Sequence, residues 1–349
     1  MRYLVAMSLS CPMPTPRYDT IVLAHGGGGT LTAALIHDLF LPAFGAGPAA
    51  PHDATLFSLG GRRAAFTTDS YVVQPLFFPG GDIGSLAVNG TVNDLLMAGA
   101  KPVALTAGFI LEEGLPIDTL RRVVESMRAA AALAGVAIIA GDTKVIGRAN
   151  GDGLYVNTSG VGEIVVAEPL APERIRSGDA IVLTGDIGRH GIAVMAQRHG
   201  LSFDPPVASD CASLHAPMLE LFEKGPAPHC ARDLTRGGLG GALGELAAAA
   251  KLDFQIDEAS IPVETPVRGA CELLGFDPLF VANEGCAALF VPRETAAAAL
   301  AILKRHPATA KAVVIGAVGA AGGGVSARTA LGTVRRLAPP SGEQLPRIC

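Results

Sequence analysis

Short apolar runs alternate with longer amphipathic segments in the first half of the chain, and this alternation predicts strands separated by helices. Apolar runs bounded by glycine, proline or aspartate predict strands at 21–23, 63–68, 103–111, 136–140 and 154–164. Apolar residues at intervals of three and four predict helices at 31–44, 83–98 and 117–133. The pattern therefore predicts an α/β protein.

The second half repeats this alternation. The predicted strands are 180–184, 229–233, 279–282, 287–291 and 312–318. The predicted helices are 187–199, 209–222, an alanine-rich segment that ends near 250, and 294–306. A chain of 349 residues exceeds one ordinary core of about 100 to 200 residues, so we expect two α/β domains. The expected divisions are a loose extension at 1–19, domains at 20–168 and 169–337, and a flexible tail at 338–349.

Composition narrows the class of protein. Apolar residues make up 49% and charged residues 17%, which is typical of a compact enzyme and not of a disordered chain. A net charge of −5 without a lysine or arginine cluster argues against nucleic acid or an anionic membrane as a partner. Six cysteines form no C-x-x-C pair and favour a reducing, cytoplasmic setting. The longest apolar run, 129–140, is shorter than the roughly twenty residues that a membrane helix needs.

Four aspartates are candidates for a site. Asp69, Asp142 and Asp233 come at the ends of predicted strands, and Asp94 lies inside a predicted helix. Magnesium prefers hard oxygen ligands, so these carboxylates are candidates for a magnesium site that also holds phosphates. Each one alone is more often a turn former or helix cap. Lys144, close to Asp142, offers a cation for phosphate oxygens or developing negative charge, or is a solvated surface lysine.

Four consecutive glycines follow a histidine near the start of the chain, and the run consists of His25, Gly26, Gly27, Gly28 and Gly29. A glycine loop before a helix presents backbone N–H groups to an anion, so phosphate binding is open beside a plain tight turn. Leu31 stands where a dinucleotide-binding loop has its third small residue, which disfavours that class.

Three further residues are candidates for chemistry. Glu284 lies among apolar neighbours, where desolvation would raise its pKa toward that of a general base; a turn glutamate is the alternative. Cys349, the last residue, follows a polar stretch punctuated by proline and glycine, so a thiol carried on a tether competes with an incidental surface thiol. His190, like His25, lacks ligand spacing and is expected to be structural.

Nine segments, taken in order, resemble the HypE family of hydrogenase maturation factors, within the superfamily of aminoimidazole ribonucleotide synthetase and selenophosphate synthetase. These segments are AHGGGG at 24–29, TTDSYV at 67–72, PLFFPGG at 75–81, GTVND at 90–94, GFILEEGLP at 108–116, GDTKV at 141–145, RDLTRGG at 232–238, NEG at 283–285 and PRIC at 346–349. The resemblance covers nearly the whole chain, and the terminal PRIC is specific to this family.

The resemblance implies a two-domain PurM-like fold, in which the N-terminal domains pair in a homodimer, and an ATP-dependent carbamoyl dehydratase. It implies that magnesium is held by Asp69, Asp94, Asp142 and Asp233, and that ATP is held by these residues with His25, Gly26, Gly27, Gly28, Gly29, Asn93, Thr143 and Thr235. The implied catalytic residues are Cys349, Lys144 and Glu284. Which of Lys144 and Glu284 acts as the base is open at this point.

The implied reaction converts a thiocarbamate on Cys349 to a thiocyanate, which supplies the cyanide ligand for the iron of [NiFe]-hydrogenase. The implied partners are a HypF-type carbamoyltransferase, which delivers the carbamoyl group, and a HypC–HypD-type iron complex, which receives the nitrile. Two alternatives compete. One is another enzyme of the superfamily, such as a selenophosphate synthetase or a thiamin-phosphate kinase, which needs no terminal cysteine. The other is a non-catalytic carrier that binds nucleotide and presents a modified thiol.

Overall fold

Two β-sheets organise the molecule. The computed structural model describes residues 18, 20–22, 25, 30–44, 52–329, 331–338 and 347–349. A five-stranded sheet is built from residues 55–164, and a seven-stranded sheet from residues 180–337. The domain boundary expected between residues 168 and 169 falls in the segment that joins the two sheets.

The N-terminal sheet has the strand order β1-β2-β7-β5-β6. Its strands are β1 Thr55–Leu59, β2 Arg62–Tyr71, β5 Ala100–Glu112, β6 Ala137–Ile146 and β7 Leu154–Ile164. The hairpin β3 Phe77–Phe78 and β4 Gly81–Asp82 pairs separately. Neighbouring strands are antiparallel except β5 and β6, which are parallel because a helix crosses over between them.

The helices of this half are α1 Thr30–Leu35, α2 Leu41–Phe44, α3 Ile83–Met97 and α4 Ile117–Leu133, with a π-helical turn Ile36–Phe40 between the first two. Asp82 and Ser85 form a reciprocal capping box that starts α3. Nearly every residue of α3 is buried, because the helix packs on β2 and β7 and also contacts the C-terminal domain. α3 is therefore the element that links the two halves of the core.

The C-terminal sheet has the order β14-β13-β10-β12-β8-β11-β9. Its strands are β8 Ala180–Leu183, β9 Cys230–Asp233, β10 Leu252–Asp257, β11 Ala287–Val291, β12 Val313–Ala321, β13 Val325–Arg328 and β14 Val334–Leu337. Its helices are α5 Arg189–His199, α6 His215–Lys224, α7 Gly238–Ala250, α8 Thr265–Leu274 and α9 Ala296–Leu303. β8 and β11 are buried along their whole length, consistent with their continuous apolar sequences.

Four local predictions need correction. Residues 21 and 22 are not in a strand, and the strand predicted at 136–140 extends to Ile146, so Asp142 lies within a strand. The helix predicted at 209–222 begins only at His215, because residues 209 and 210 bond instead to the backbone of Pro79, Glu284 and Gly285. Residues 278–280 form a 3₁₀ turn rather than a strand, since Asp277 caps the N–H of Leu279.

No helix in the described part of the chain combines the length and apolar character needed to cross a membrane. Several large apolar side chains of the N-terminal sheet are nevertheless exposed. They include Leu59, Phe66, Ile110, Ile139 and Val145. The strand registers place Leu59, Phe66 and Ile110 on the face away from α3, whereas Val145 is aligned with Leu111 on the opposite face.

Candidate active site

Three carboxylates from distant parts of the sequence converge between the two sheets. Asp53 precedes β1, Asp94 lies on α3 and Asp233 ends β9, and one carboxylate oxygen of each lies within 4.8 Å of the others. The contact of α3 with β9 carries Asp94 to the carboxyl end of that strand. Thr67 donates a hydrogen bond of 2.8 Å to Asp94 Oδ2 and so fixes that carboxylate.

Burial and mutual repulsion disfavour the charged forms of this acidic cluster, defined as Asp53, Asp94 and Asp233. Burial raises the pKa of Asp53 to about 6 and that of Asp233 to about 8, with neighbouring carboxylates adding to the effect at Asp233. The pKa of Asp94 is also raised well above its usual value, first by burial and then by Asp69. The Arg232 guanidinium offsets part of this charge, since its Nε lies 2.7 Å from Asp53 Oδ1. The other oxygen of Asp53, Oδ2, is buried without a hydrogen-bond partner.

A cavity opens beside the acidic cluster and contains residues from both domains and from the end of the chain. Its lining consists of Asp69, Ser70, Tyr71, Gly90, Asp94, Asp233, Thr235, Arg236, Glu284 and Cys349. Gly90 leaves space for the Tyr71 hydroxyl, since a Cβ atom there would lie 2.3 Å from Tyr71 Oη. The cavity therefore brings together Cys349, a buried glutamate and two carboxylates of the acidic cluster.

Glu284 lies in the turn before β11 and is only 4% exposed. Burial, followed by the charges of Asp233 and Asp210, raises its pKa well above the usual value. Its Oε1 atom has no hydrogen-bond partner. Asp210 holds the turn by accepting hydrogen bonds from the N–H groups of Glu284 and Gly285, at 3.1 and 2.9 Å. The turn needs glycine at 285, because a Cβ atom there would lie 2.0 Å from the Asp210 carbonyl oxygen.

The end of the chain docks in this cleft. The Cys349 oxygen accepts a hydrogen bond of 3.1 Å from Val72 N, and the Arg347 oxygen accepts one of 3.3 Å from Gln74 N. The Ile348 side chain is buried in the main core, and Cys349 is half-buried at the cavity. Of the segment predicted as a flexible tail, 338–349, residues 339–346 lie outside the described part of the chain.

The cavity also contains a positively charged side chain, Arg236, and a phenol, Tyr71. The negative charge of Cys349 is the main cause that raises the pKa of Arg236, with smaller contributions from Asp69 and Glu284. Burial, then Asp69, raises the pKa of Tyr71 well above its usual value, so this phenol remains protonated and able to donate. Arg236 thus supplies positive charge beside Cys349.

Three predicted site residues lie away from the cavity, and they are Asp142, Thr143 and Lys144. They are exposed residues of β6, and Asp142 is paired with Lys144. The strand register aligns Asp142 with Gly108, Asn157 and Ser70 in successive strands. Three strand spacings place the Asp142 backbone about 14 Å from that of Ser70. Within one copy of the chain, these three residues do not join the acidic cluster.

The other predicted site residues divide into three groups. Asp69 and Thr235 line the cavity. Asn93 instead braces the structure beside it, since its amide donates to Ala212 O at 3.0 Å and accepts from Leu214 N at 2.8 Å. The His25 ring packs edge-on against Tyr18 and accepts a hydrogen bond from Val22 N, while Gly26, Gly27, Gly28 and Gly29 lie outside the described residues.

Sequence reasoning missed Asp53, Tyr71, Arg236 and Asp210. Tyr71 and Arg236 lie inside two segments that carry the family resemblance, TTDSYV and RDLTRGG. The resemblance could therefore have identified both as site residues. Asp53 and Asp210 stand in neither a glycine turn nor a charge pattern. Their roles depend on contacts with residues far along the chain, which only the fold brings together.

Known proteins similar to this chain agree on one family. Residues 51–164 match the N-terminal domain of AIR synthase related proteins, and residues 176–327 match the C-terminal domain. The carbamoyl dehydratase HypE of Rhodobacter capsulatus is 47% identical over 338 residues, which cover 95% of this chain and 99% of that protein.

Two solved structures are similar over most of their length. One is a hydrogenase maturation protein HypE in complex with ATP, with a TM-score of 0.81 and 46% identity, covering 95% of this chain and all of that one. The other is a HypE–HypF complex, with a TM-score of 0.83 and 43% identity, covering 88% of this chain and all of the matched chain. The two-domain fold, the cavity and these similarities together show that the chain belongs to the HypE carbamoyl dehydratases of the AIR synthase related family.

Proposed function

We propose that the chain dehydrates a carbamoyl group carried on Cys349 to a thiocyanate at the expense of ATP, and thereby supplies the cyanide ligand for the iron of [NiFe]-hydrogenase. The observation that carries this proposal is the presence in one cavity of Cys349, Glu284 and two members of the acidic cluster, Asp94 and Asp233. The ATP-bound relative supports a nucleotide in the same fold.

The acidic cluster fits a magnesium ion. Carboxylate oxygens are the ligands that this ion prefers, and three of them lie close enough to share one cation. Asp53 Oδ2 is buried without a partner, and burial raises the pKa values of all three groups, so a divalent cation would relieve a real electrostatic cost. Asp53, Asp94 and Asp233 would hold the ion, with Asp69 beside them, and the ion would neutralise phosphate charge.

The reaction needs a leaving group, because the oxygen of a thiocarbamate is not expelled on its own. The thiocarbamate oxygen attacks the γ-phosphorus of ATP, ADP leaves, and one amide proton is lost to a base. Cleavage of the C–O bond then releases phosphate with the second N–H proton, which leaves S–C≡N on Cys349. Positioning and charge neutralisation are the main requirements of such phosphoryl transfer.

Glu284 is the residue that we assign as the base. It shares the cavity with Cys349, and desolvation makes its carboxylate a stronger proton acceptor than an exposed glutamate. Arg236 lines the same cavity and supplies positive charge for oxygen atoms that become negative. The Tyr71 hydroxyl, which donates to Asp69 Oδ2 at 3.4 Å, lines the same cavity.

Asp142, Thr143 and Lys144 would act on the nucleotide from a second copy of the chain. Asp142 and Lys144 lie on the sheet face that exposes Phe66 and Ile110, with Thr143 between them in the strand, and exposed apolar patches of this kind mark interfaces. A homodimer formed through this face would bring them to the partner's nucleotide. If so, mixing Lys144→Ala with Glu284→Gln subunits would restore about a quarter of the sites, because half of the dimers are mixed and each has one intact site. No recovery above the separate variants would contradict this arrangement.

The partners follow from the chemistry. A HypF-type carbamoyltransferase would load Cys349, in keeping with the solved HypE–HypF complex, and a HypC–HypD-type iron complex would receive the nitrile. We expect these steps in the cytoplasm, where the thiol remains reduced.

ATP consumption tests the proposal. Formation of about one ADP per Cys349 should require both Cys349 and a source of carbamoyl groups with the transferase, and further ADP should form only when an acceptor removes the nitrile. Magnesium should be required as well, and its removal by a chelator should stop turnover. ATP consumption that continues in Cys349→Ala with the transferase and carbamoyl donor present would refute the assignment of Cys349 as the carrier.

A further inference from the structure

The last three residues are held mainly through their backbone. Two side chains of α5, His190 and Arg198, contact consecutive carbonyl groups of this segment. We propose that His190 and Arg198 are positioning residues that clamp the main chain of residues 347–349 and thereby set how long Cys349 stays at the cavity. This inference rests on the proposed role of Cys349 as the carrier.

His190 is fully buried and makes two hydrogen bonds that fix its tautomer. Its Nε2 atom lies 2.8 Å from the Ile348 carbonyl oxygen, which only accepts, so Nε2 carries the proton. The Nδ1 atom, 2.8 Å from Ser209 Oγ, is then the acceptor. Burial lowers the pKa of His190 to about 4, which keeps the ring neutral. The ring also packs edge-on against Phe78, with centroids 5.3 Å apart.

Arg198 joins the end of the chain to the segment on which it docks. Its Nη2 donates to the Arg347 oxygen at 2.6 Å, and its Nε donates to the Gln74 oxygen at 2.8 Å. His190 and Arg198 are eight residues apart in α5, which places them about 12 Å apart along the helix axis and near one face. The helix therefore presents two donors to one stretch of main chain.

Two backbone hydrogen bonds hold the end of the chain beside residues 72–74. Residues 349 and 347 pair with 72 and 74 in antiparallel order, and the Ile348 side chain between them enters the core. The main-chain bonds supply affinity, and the burial of the Ile348 side chain fixes which residue of the segment reaches the cavity.

The clamp should favour dehydration of the carbamoyl group and oppose its loading onto Cys349. Dehydration requires Cys349 at the cavity, whereas loading requires its sulfur in the site of another enzyme. A bond made only in the docked state shifts the equilibrium toward that state by its own free energy. Loss of a clamp residue should therefore slow dehydration of each loaded chain and raise the accessibility of the thiol.

Thiol accessibility is the direct test. The probe is a maleimide that carries a polyethylene glycol chain too bulky for the cavity, and the modified C-terminal peptide is quantified by mass. His190→Ala and Arg198→Ala should each raise the labelling rate of Cys349 roughly five- to ten-fold, as expected for loss of one buried hydrogen bond. Arg347→Ala should raise the rate less than either clamp variant, because the clamp uses only the carbonyl of residue 347 and the partly exposed ion pair with Asp152 contributes less than a buried hydrogen bond.

A thermodynamic cycle separates the clamp from a purely structural role. His190→Ala should lower the melting temperature less in a chain that lacks residues 347–349 than in the full chain. His190→Gln, which retains an N–H donor, should recover part of the slow labelling. Equal destabilisation in both chains, or labelling rates that do not change in either clamp variant, would overturn the proposal. Labelling needs neither ATP nor a carbamoyl donor, so its outcome is independent of the proposed reaction.

Discussion

Glu284→Gln is the perturbation that separates catalysis from folding most clearly. The side chain is 4% exposed at the cavity, and its volume is retained in the amide. The substitution removes the proton-accepting charge and leaves the turn held by Asp210 in place, because Asp210 bonds to the backbone of residues 284 and 285. The expected loss is therefore one of chemistry and not of architecture.

The size of the loss follows from the role of a general base. A positioned base contributes about 10²- to 10⁴-fold to the rate, equivalent to about 3 to 5.5 kcal/mol in the barrier. The rate of thiocyanate formation in a single turnover should fall by that factor in Glu284→Gln. ATP binding should change little, since Glu284 is not a member of the acidic cluster.

Glu284→Gln should keep or raise the stability of the fold, although it lowers the reaction rate. The pKa of Glu284 in the folded state is raised, so the folded state binds more protons than the unfolded state. Its contribution to stability is then lost as pH rises from the unfolded pKa through the folded pKa. Without nucleotide or magnesium, Glu284→Gln should melt at a temperature equal to or above that of the wild type at pH 8, and the difference should shrink toward pH 5.

Glu264→Gln is the matched control, because this carboxylate pairs with Lys311 and lies outside the cavity. It should leave the single-turnover rate unchanged. Thiocyanate formation at the wild-type rate in Glu284→Gln would remove Glu284 from the mechanism. A melting temperature of Glu284→Gln below that of the wild type at pH 8 would contradict the argument that burial destabilises the Glu284 charge.

Three further variants test other parts of the site. Asp94→Asn should weaken magnesium-dependent ATP binding at least about ten-fold, because one of three clustered carboxylates is lost; unchanged calorimetric affinity would contradict its role. Cys349→Ala should bind ATP normally yet accept no carbamoyl group by intact mass, and carbamoylation of that variant would place the carrier elsewhere. Asn93→Ala should lower the free energy of unfolding by about 2 kcal/mol in urea, since it leaves the buried N–H of Leu214 unpaired, and a change below about 0.5 kcal/mol would argue against its bracing role.

The sequence predicted the fold best where the periodic pattern was long. The strand expected at 154–164 and the helices expected at 83–98 and 117–133 are present with nearly the same bounds. β10 was missed because its sequence, LDFQID, is short and mixes polar with apolar residues. The strand containing Asp142 was cut short at Gly141, although this glycine is accommodated within a parallel pair.

The site was predictable where a residue type is unusual for its surroundings. Glu284, between apolar segments, was identified as a desolvated carboxylate, and its burial has this effect on its pKa. Asp53 has no such local signal, because its proximity to Asp94 and Asp233 comes from the packing of α3 between the two domains. His190 was expected to be structural. It bonds to the carbonyl of Ile348, which lies 158 residues away, a separation that no local pattern encodes.

The mass of the C-terminal peptide tests the central claim most directly. The protein would be incubated with ATP, magnesium, carbamoyl phosphate and the carbamoyltransferase, and the peptide that ends at Cys349 would then be isolated. Our account predicts a carbamoylated peptide that is converted, only when ATP is present, to a form lighter by the mass of one water. A carbamoylated peptide that persists unchanged in the presence of ATP and magnesium would contradict the proposed dehydration.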